Sequence, residues 1–402
     1  MKIGLIRENK IPIDKRVAFS PDQLTTIHED SDRYFDFVVE PSPHRCYEDE
    51  EYVDEGIEVS ADLDDCDVLM GIKEVPVANL LSDKTYFFFS HTIKKQPSNR
   101  KLLQAILEKN ITMIDYEVLK DDKGNRVVAF GRWAGIVGAY NGIWTYGQKT
   151  GRFSLKRAHE CFDLKELKKE LQKVKLPAVK LLVTGTGKVA KGAIEVLEWL
   201  KIKKVEPVAF LEKEYGEAVF TQVGSADYNK RKDDGMFNRE EFHKQPELYE
   251  SNFLRFTKVV DIFMAAAYWD HKAPRLFEKK DTASPDFKIK VIADITCDID
   301  GSVPTTVKSS TVADPVFDFD PQTQDTCEAF SGENHISVMA IDNLPCELPR
   351  DASHDFGNQL MKHVIPELLL EKSEMLDRAT IAKGGKLTTN FTYLEDYVNQ
   401  QI

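Results

Sequence analysis

Apolar and polar positions along the chain follow two alternating rhythms. Short runs rich in β-branched and aromatic residues, "KIGLIRE", "FDFVVE", "DVLMGIK", "YFFFSH" and "ITMIDYE", alternate with longer amphipathic stretches such as "SPDQLTTIHE" and "PSNRKLLQAILEKN". The first kind predicts buried strands and the second helices, so their alternation predicts a parallel α/β layer structure. From about 145 to 175 the chain turns basic and helical, which reads as a solvated connector with Lys/Glu pairing along its surface. A second α/β unit then begins with "AVKLLVTGTGKVAKGAIEVLEWL", an apolar strand, a glycine turn and a helix, followed by an expected strand "VEPVAFLE". A polar excursion between 214 and 257 precedes strand-like "VVDIFMAAAY" and "KVIADIT". After "ISVMAIDNLP" a helix around "DFGNQLMKHVIPELLLEK" is expected to return to the first domain and to end in a polar tail of weak structure.

Two domains are the reading for 402 residues. The boundaries are placed at 1–144 plus 345–402 and at 145–344. The 54 basic against 67 acidic side chains give a net charge of -13, which repels phosphate backbones and anionic membrane surfaces. Nucleic acid and membrane are therefore not expected partners, and a monomer or small homo-oligomer is. No stretch approaches the length of a membrane span, and "MKIGLIRENK" lacks the plan of a signal peptide, so a cytoplasmic location is expected. The six cysteines are scattered without metal-ligand spacing, so no metal is expected and the thiols read as reduced.

In parallel α/β sheets ligands gather beyond the carboxyl ends of the strands. Three of those ends carry proton-exchanging groups: Lys73 closes "DVLMGIK", His91 closes "YFFFSH" and Glu117 closes "ITMIDYE". In the second unit "GTGKVA" follows a strand and opens a helix, the context of a dinucleotide turn. Gly185 permits the tight turn, Gly187 lets backbone approach a pyrophosphate at the helix N-terminus, and Ala190 replaces the third glycine. Glu212, expected at the end of the next strand, is placed to bind a ribose 2′-hydroxyl, which favours NAD over NADP, although NADP stays open.

Several motifs in order, "KTYFFFSHTIKKQ", "IDYEVLKDDKGNRVVAFGRWAG", "GTGKVAKGA", "AAYWDHKAPRLF", "VIADITCDIDGSVPTT" and "AIDNLPCELPRDAS", resemble the saccharopine-forming lysine–2-oxoglutarate reductases, the lysine-forming saccharopine dehydrogenases. The broader superfamily includes alanine dehydrogenase and the nucleotide-binding part of proton-translocating transhydrogenase. The resemblance implies an α/β fold of two Rossmann-like domains with parallel sheets flanking a cleft. The first domain would be completed by the C-terminal segment, and the second would hold the dinucleotide. It implies Lys73 as general base and His91 as general acid in saccharopine oxidation, with Glu74 and Glu117 tuning the pair. Arg16, Lys94, Gln96, Arg126 and Phe130 would line the substrate pocket, and Thr296, Cys297 and Asp298 would join them. Around the cofactor the matching positions are Gly187, Lys188, Glu212, Tyr268 and Ile295, with Ile341, Asp342, Asn343 and Leu344.

Asn125 departs from the fungal pattern, standing where that form has arginine. Val189 and Ala266 replace its pair of neighbouring cysteines. The expected activity is an NAD(P)-dependent interconversion of saccharopine with lysine and 2-oxoglutarate by hydride transfer through an imine. Alanine dehydrogenase, another opine or amino-acid dehydrogenase, and a non-catalytic nucleotide sensor remain alternatives at this point.

Overall fold

The computed structural model describes residues 1–400. The chain divides into two compact units, Met1–Phe130 with Pro349–Ile402, and Gly131–Leu348. The boundary expected near 144 falls inside the helix Gly131–Thr150, which belongs wholly to the second unit. The reason is local: buried Trp133, Ile136, Ala139, Tyr140 and Ile143 give this helix an apolar face that must be covered along its whole length. The return to the first unit comes at Pro349 rather than at 345.

The first unit is built on the strands β1 (Lys2–Leu5), β2 (Asp36–Val39), β3 (Glu58–Val59), β4 (Val68–Met70), β5 (Thr85–Phe88) and β6 (Thr112–Asp115). All six run parallel. The C-terminal strands β17 (Thr380–Lys383) and β18 (Lys386–Leu387) add antiparallel pairs beside β6, completing the order β18-β17-β6-β5-β4-β1-β2-β3. The tail read as weakly structured thus closes one edge of the sheet, because Ile381 and Ala382 are fully buried against its core. The strands read as continuous apolar runs because the sheet is covered on both faces, one by Phe87, Tyr116 and Phe356, the other by Tyr86, Phe88 and Leu103.

The second unit holds β7 (Lys180–Thr184), β8 (Lys203–Lys204), β9 (Val219–Val223), the separate antiparallel pair β10 (Asn229–Arg231) and β11 (Tyr249–Ser251), then β12 (Ile262–Ala265), β13 (Val291–Asp294), β14 (Val316–Asp320), β15 (Asp325–Cys327) and β16 (Ile336–Met339). Its sheet runs β15-β14-β16-β13-β12-β7-β9-β8, parallel except for β14 and β15. Strand order reverses at β7, whose neighbours are β9 and β12, so a topological switch point lies at the glycine turn.

Two expectations fail here. "VEPVAFLE" folds as the helix Pro207–Glu212, not a strand, because Pro207 sits at the first helical position, where it needs no N–H donor and its φ is already helical. The strand that pairs with β7 is β9, which lies inside the stretch read as an excursion.

Candidate active site

Four neighbouring strands of the first unit, in the order β6-β5-β4-β1, carry an ionisable residue just beyond their carboxyl ends: Glu117, His91, Lys73 and Glu8. Two side-chain clamps fix these ends. Asp115 accepts hydrogen bonds from Ser90 Oγ (2.5 Å), Ser90 N (3.0 Å) and Glu117 N (2.7 Å), which locks the β5 and β6 turns together. Glu8 accepts from Ile72 N (2.6 Å) and Lys73 N (2.9 Å), which ties the β1 turn to the segment that presents Lys73. Burial and the Asp14 carboxylate push Glu8 up to about 8, against the pull of its two backbone donors and Arg16.

Lys73 and His91 stand among different partners. Burial, and after it the Arg16 cation, lowers the Lys73 ammonium from its ordinary value, outweighing the pull of Asp14 and Glu74. Among the described residues no carboxylate pairs directly with its ammonium, so an exposed Lys73–Glu74 ion pair is not what this segment forms. His91 instead stands with Nδ1 2.7 Å from Glu74 Oε1, and Lys10 Nζ holds Glu74 Oε2 at 2.6 Å. Burial raises the Glu74 carboxyl, but the hydrogen bonds from His91 and Lys10 win and hold it down to about 2. A carboxylate that stays charged on Nδ1 leaves Nε2 as the ring atom available to exchange a proton.

Arg16 is buried, forked onto Asp14 through Nε (2.9 Å) and Nη2, with its guanidinium 4.2 Å above the ring of Phe130. Phe130 stacks on Phe356 at 4.4 Å, and Phe89 and Tyr116 complete an aromatic floor. Lys94 Nζ lies 3.1 Å and Arg126 Nη1 3.9 Å from Glu117 Oε1, while Glu117 Oε2 is buried without a hydrogen bond. Gln96 is exposed and caps the short turn Pro97–Asn99. Lys73, Glu74, His91, Lys94, Arg126, Glu117, Arg16 and Phe130 are thus linked through shared partners, and Gln96 lies at their margin.

In the second unit most of the expected cofactor residues follow the carboxyl ends of adjacent strands. Gly185 to Lys188 follow β7, Tyr268 follows β12, Ile295 to Asp298 follow β13, and Ile341 to Leu344 follow β16. Gly185 adopts φ +96°, and a Cβ there would lie 2.8 Å from the Ala266 carbonyl, so no other residue fits. A Cβ at Gly187 would meet nothing within 4 Å: the space beside it is open, as backbone approach to a pyrophosphate requires. Gly192 and Gly135 let the helix Lys188–Trp199 cross Gly131–Thr150 backbone to backbone. At the end of β13, Asp294 accepts from Thr296 Oγ1 (2.6 Å) and Thr306 Oγ1 (2.7 Å). Cys297 adopts φ +54° and donates to the Ala340 carbonyl, its thiol pushed by burial up to about 12.

Glu212 does not join this set. It ends the helix Pro207–Glu212, and nearby Phe210, Glu214 and Tyr215 gather around the ammonium of Lys180, the first residue of β7. That places it toward the amino end of the sheet, a strand length away from Gly185. The assignment of Glu212 to a ribose is therefore corrected; the residues that follow the strand beside β7 are Gly224, Ser225 and Asp227.

Residues 4–137 match the alanine dehydrogenase/PNT N-terminal domain. The chain is 30% identical to the mouse (Mus musculus) α-aminoadipic semialdehyde synthase, mitochondrial, over 98% of this chain and 47% of that one. It is 28% identical to the saccharopine dehydrogenase [NAD(+), L-lysine-forming] of Yarrowia lipolytica, over 91% of this chain and 92% of that one. Over most of its length the chain is thus similar, at 25–30% identity, to lysine-forming saccharopine dehydrogenases and α-aminoadipic semialdehyde synthases. It spans about half the length of the mammalian relatives it matches and nearly all of the fungal one. In fold, an L-alanine dehydrogenase matches over 99% of both chains with a TM-score of 0.66 at 15% identity.

Glu8, Lys10, Asp14 and Phe356 join the site without having stood out in the sequence. The first three sit in "RENKIPIDKR", where polar residues crowd and no periodicity singles one out. Phe356 comes from a helix 226 positions after Phe130, so only tertiary packing joins them. Among the described residues no helix is long and apolar enough to cross a membrane, and no cluster of three or more His, Cys, Asp or Glu is arranged to hold a metal.

Proposed function

We propose that this chain is an NAD(H)-linked oxidoreductase interconverting saccharopine with L-lysine and 2-oxoglutarate. The observation that carries the reading is the contrast between Lys73 and His91 on adjacent strand turns: one amine pushed toward its neutral form, and one imidazole whose Nδ1 is anchored to a carboxylate that stays charged. Forming a C–N bond between the lysine side chain and a 2-oxo acid passes through a carbinolamine and an imine, and each stage moves protons. A base whose ammonium is disfavoured and an acid held in one tautomer meet that need.

In the direction of saccharopine oxidation, Lys73 takes the proton from the secondary amine, whose adjacent carbon is the one that would give up hydride. Water then adds to the imine carbon, and His91 Nε2 supplies the proton to the departing lysine amine as the C–N bond breaks. Glu8 holds the Lys73 backbone, and Glu74 holds the His91 ring. A nicotinamide, held through its dinucleotide by Gly185, Gly187 and Lys188, would take up or supply the hydride when bound. Lys94 and Arg126 are the cations offered to substrate carboxylates. Arg16, already forked onto Asp14, contributes by depressing Lys73 and stacking on Phe130.

The dinucleotide fits the second unit through Gly185, Gly187 and Lys188 at the start of a helix, with Tyr268, Asp342 and Asn343 on neighbouring strand ends. NAD is preferred over NADP in this reading because the residues around the cavity beside β7 and β9 include Asp270 and no lysine or arginine. NADH absorbance followed with lysine and 2-oxoglutarate, each omitted in turn, tests the reading. Oxidation should require both.

A further inference from the structure

Three strands of the second unit carry a polar row where a covered sheet ordinarily buries carbon. Cys327 of β15 pairs with Asp318 of β14, and Asp318 pairs with Ser337 of β16, so the three side chains share one face of the sheet. Asp318 and Ser337 are fully buried, and Ser337 Oγ donates to Asp318 Oδ1 at 2.6 Å. The other oxygen, Asp318 Oδ2, is buried and accepts no hydrogen bond. Lys149 Nζ lies 3.9 Å from it and His335 Nδ1 3.8 Å. Burial lowers the Lys149 ammonium from its ordinary value, against the pull of Asp318.

The connection between β15 and β16 brings His335 to this row. Phe330 adopts φ +60°, and Lys149 Nζ holds the Gly332 carbonyl at 3.3 Å. A Cβ at Gly332 would lie 2.4 Å from His335 Nδ1, so the glycine leaves the room that the ring fills. A thiol and an imidazole meet as a result: Cys327 Sγ stands 3.2 Å from His335 Nδ1, with Ser331 Oγ 3.3 Å from the same nitrogen. The His335 side chain is 24% exposed and borders a cleft of about 610 Å³.

This pair has a chemistry that a solitary thiol lacks. When Sγ gives its proton to Nδ1 the product is a thiolate beside an imidazolium, and the unpartnered Asp318 oxygen stabilises that imidazolium. Three other thiols are held back from ionising. Burial pushes Cys66 and Cys161 up to about 11 and Cys297 up to about 12. The cleft beside His335 has the size of a site for a small organic molecule. Its lining mixes Lys288 and Lys290 with Asp261, Asp320 and Glu333, which matches a zwitterion carrying both amine and carboxylate groups.

We infer that Cys327 is a modification site for small zwitterionic disulfides, with His335 as its proton acceptor. The Cys327 proton passes to His335 Nδ1, and the thiolate attacks one sulfur of the disulfide. A bond forms between Sγ and that sulfur, the disulfide's own S–S bond breaks, and the departing sulfur takes the proton from His335. The disulfide is the oxidant, and each adduct releases one small thiol. The inference stands apart from the dinucleotide and saccharopine readings, since it uses none of their residues.

Mapping of adducts tests it first. The fully reduced parent is exposed to glutathione disulfide, quenched with acid at early times, digested and analysed by peptide mass. The first glutathionyl adduct is expected on Cys327. A first adduct on Cys46, Cys346 or any other thiol, or no adduct at all, overturns the inference. The rate of adduct formation on Cys327 is then compared at neutral pH with that in His335→Asn, which stays polar but cannot take the proton. A variant that melts within about 3 °C of the parent should react roughly tenfold or more slowly, and the parent's rate in it overturns the role given to His335. The mapping needs no variant and decides alone where His335→Asn melts lower.

Discussion

His91 Nδ1 stands 2.7 Å from Glu74 Oε1, and the other oxygen of Glu74 is held by Lys10 at 2.6 Å. The contact does two things at once: it fixes the ring, and it fixes which nitrogen carries a proton toward the carboxylate. Removing the imidazole should cost more than loosening it. His91→Gln is expected to lower kcat by roughly 10²-fold or more, and Glu74→Gln by about 10-fold, with NADH affinity unchanged in both. Because Glu74 acts through the ring, the split between kcat and KM checks the assignment; a change in KM alone for Glu74→Gln would count against it.

Lys73 yields a prediction whose sign follows from burial. Its folded value lies below that of an ordinary lysine, so the neutral amine appears at lower pH than it would in solution and is lost as pH falls further. Saccharopine oxidation, which needs the neutral amine, should therefore decline toward acid pH. Lys73→Met should remove that limb of the profile along with roughly 10²-fold of the rate. Relieving the nearby cation with Arg16→Gln should move the limb to higher pH, since the charge that opposes the ammonium is gone.

Glu8 predicts a stability effect. Its folded value is raised to about 8 from an unfolded value of ~4.3, so its contribution is fully present below the unfolded value and lost as pH rises through about 8. Glu8→Gln, which cannot ionise, should gain on the parent between about pH 5 and pH 8.5, by about 3 to 5 kcal/mol at most. Urea midpoints across that range measure it, and parallel curves for the two proteins would show that Glu8 is ionised throughout.

How far the sequence discloses this arrangement depends on what its periodicity encodes. The strands β1, β4, β5 and β6 are apolar runs that stop on charged residues, so the sheet and the positions of Lys73, His91 and Glu117 at its strand ends are all legible in the residue pattern. The same logic fails at "VEPVAFLE", because an eight-residue apolar-rich run fits a strand or a buried helix equally, and only Pro207 at the first helical position decides. That one error carried Glu212 to the wrong end of the sheet. Glu8 and Asp14 are illegible for another reason: a carboxylate's partner, here Lys73 N or Arg16, is set by tertiary contact and leaves no local pattern.

The corrected position of Glu212 is itself testable. Glu212→Ala should leave the ratio of NADH to NADPH activity unchanged, since its neighbour Glu214 stands 3.8 Å from Lys180, the first residue of β7. Ser225→Arg, at the end of β9, should raise NADPH affinity relative to NADH by roughly tenfold. A ratio that shifts with Glu212 and not with Ser225 would restore the discarded assignment.

We propose that hydride passes to the carbon joining the lysine ε-nitrogen to a glutarate unit. It is tested most directly by incubating the enzyme with lysine, 2-oxoglutarate and NADH deuterated at the nicotinamide C4 position, then weighing and fragmenting the product. The expected product is saccharopine with one deuterium, located on the α-carbon of the glutaryl half, and no product when either substrate is left out. Deuterated alanine from pyruvate and ammonia, with no saccharopine from lysine and 2-oxoglutarate, would contradict it.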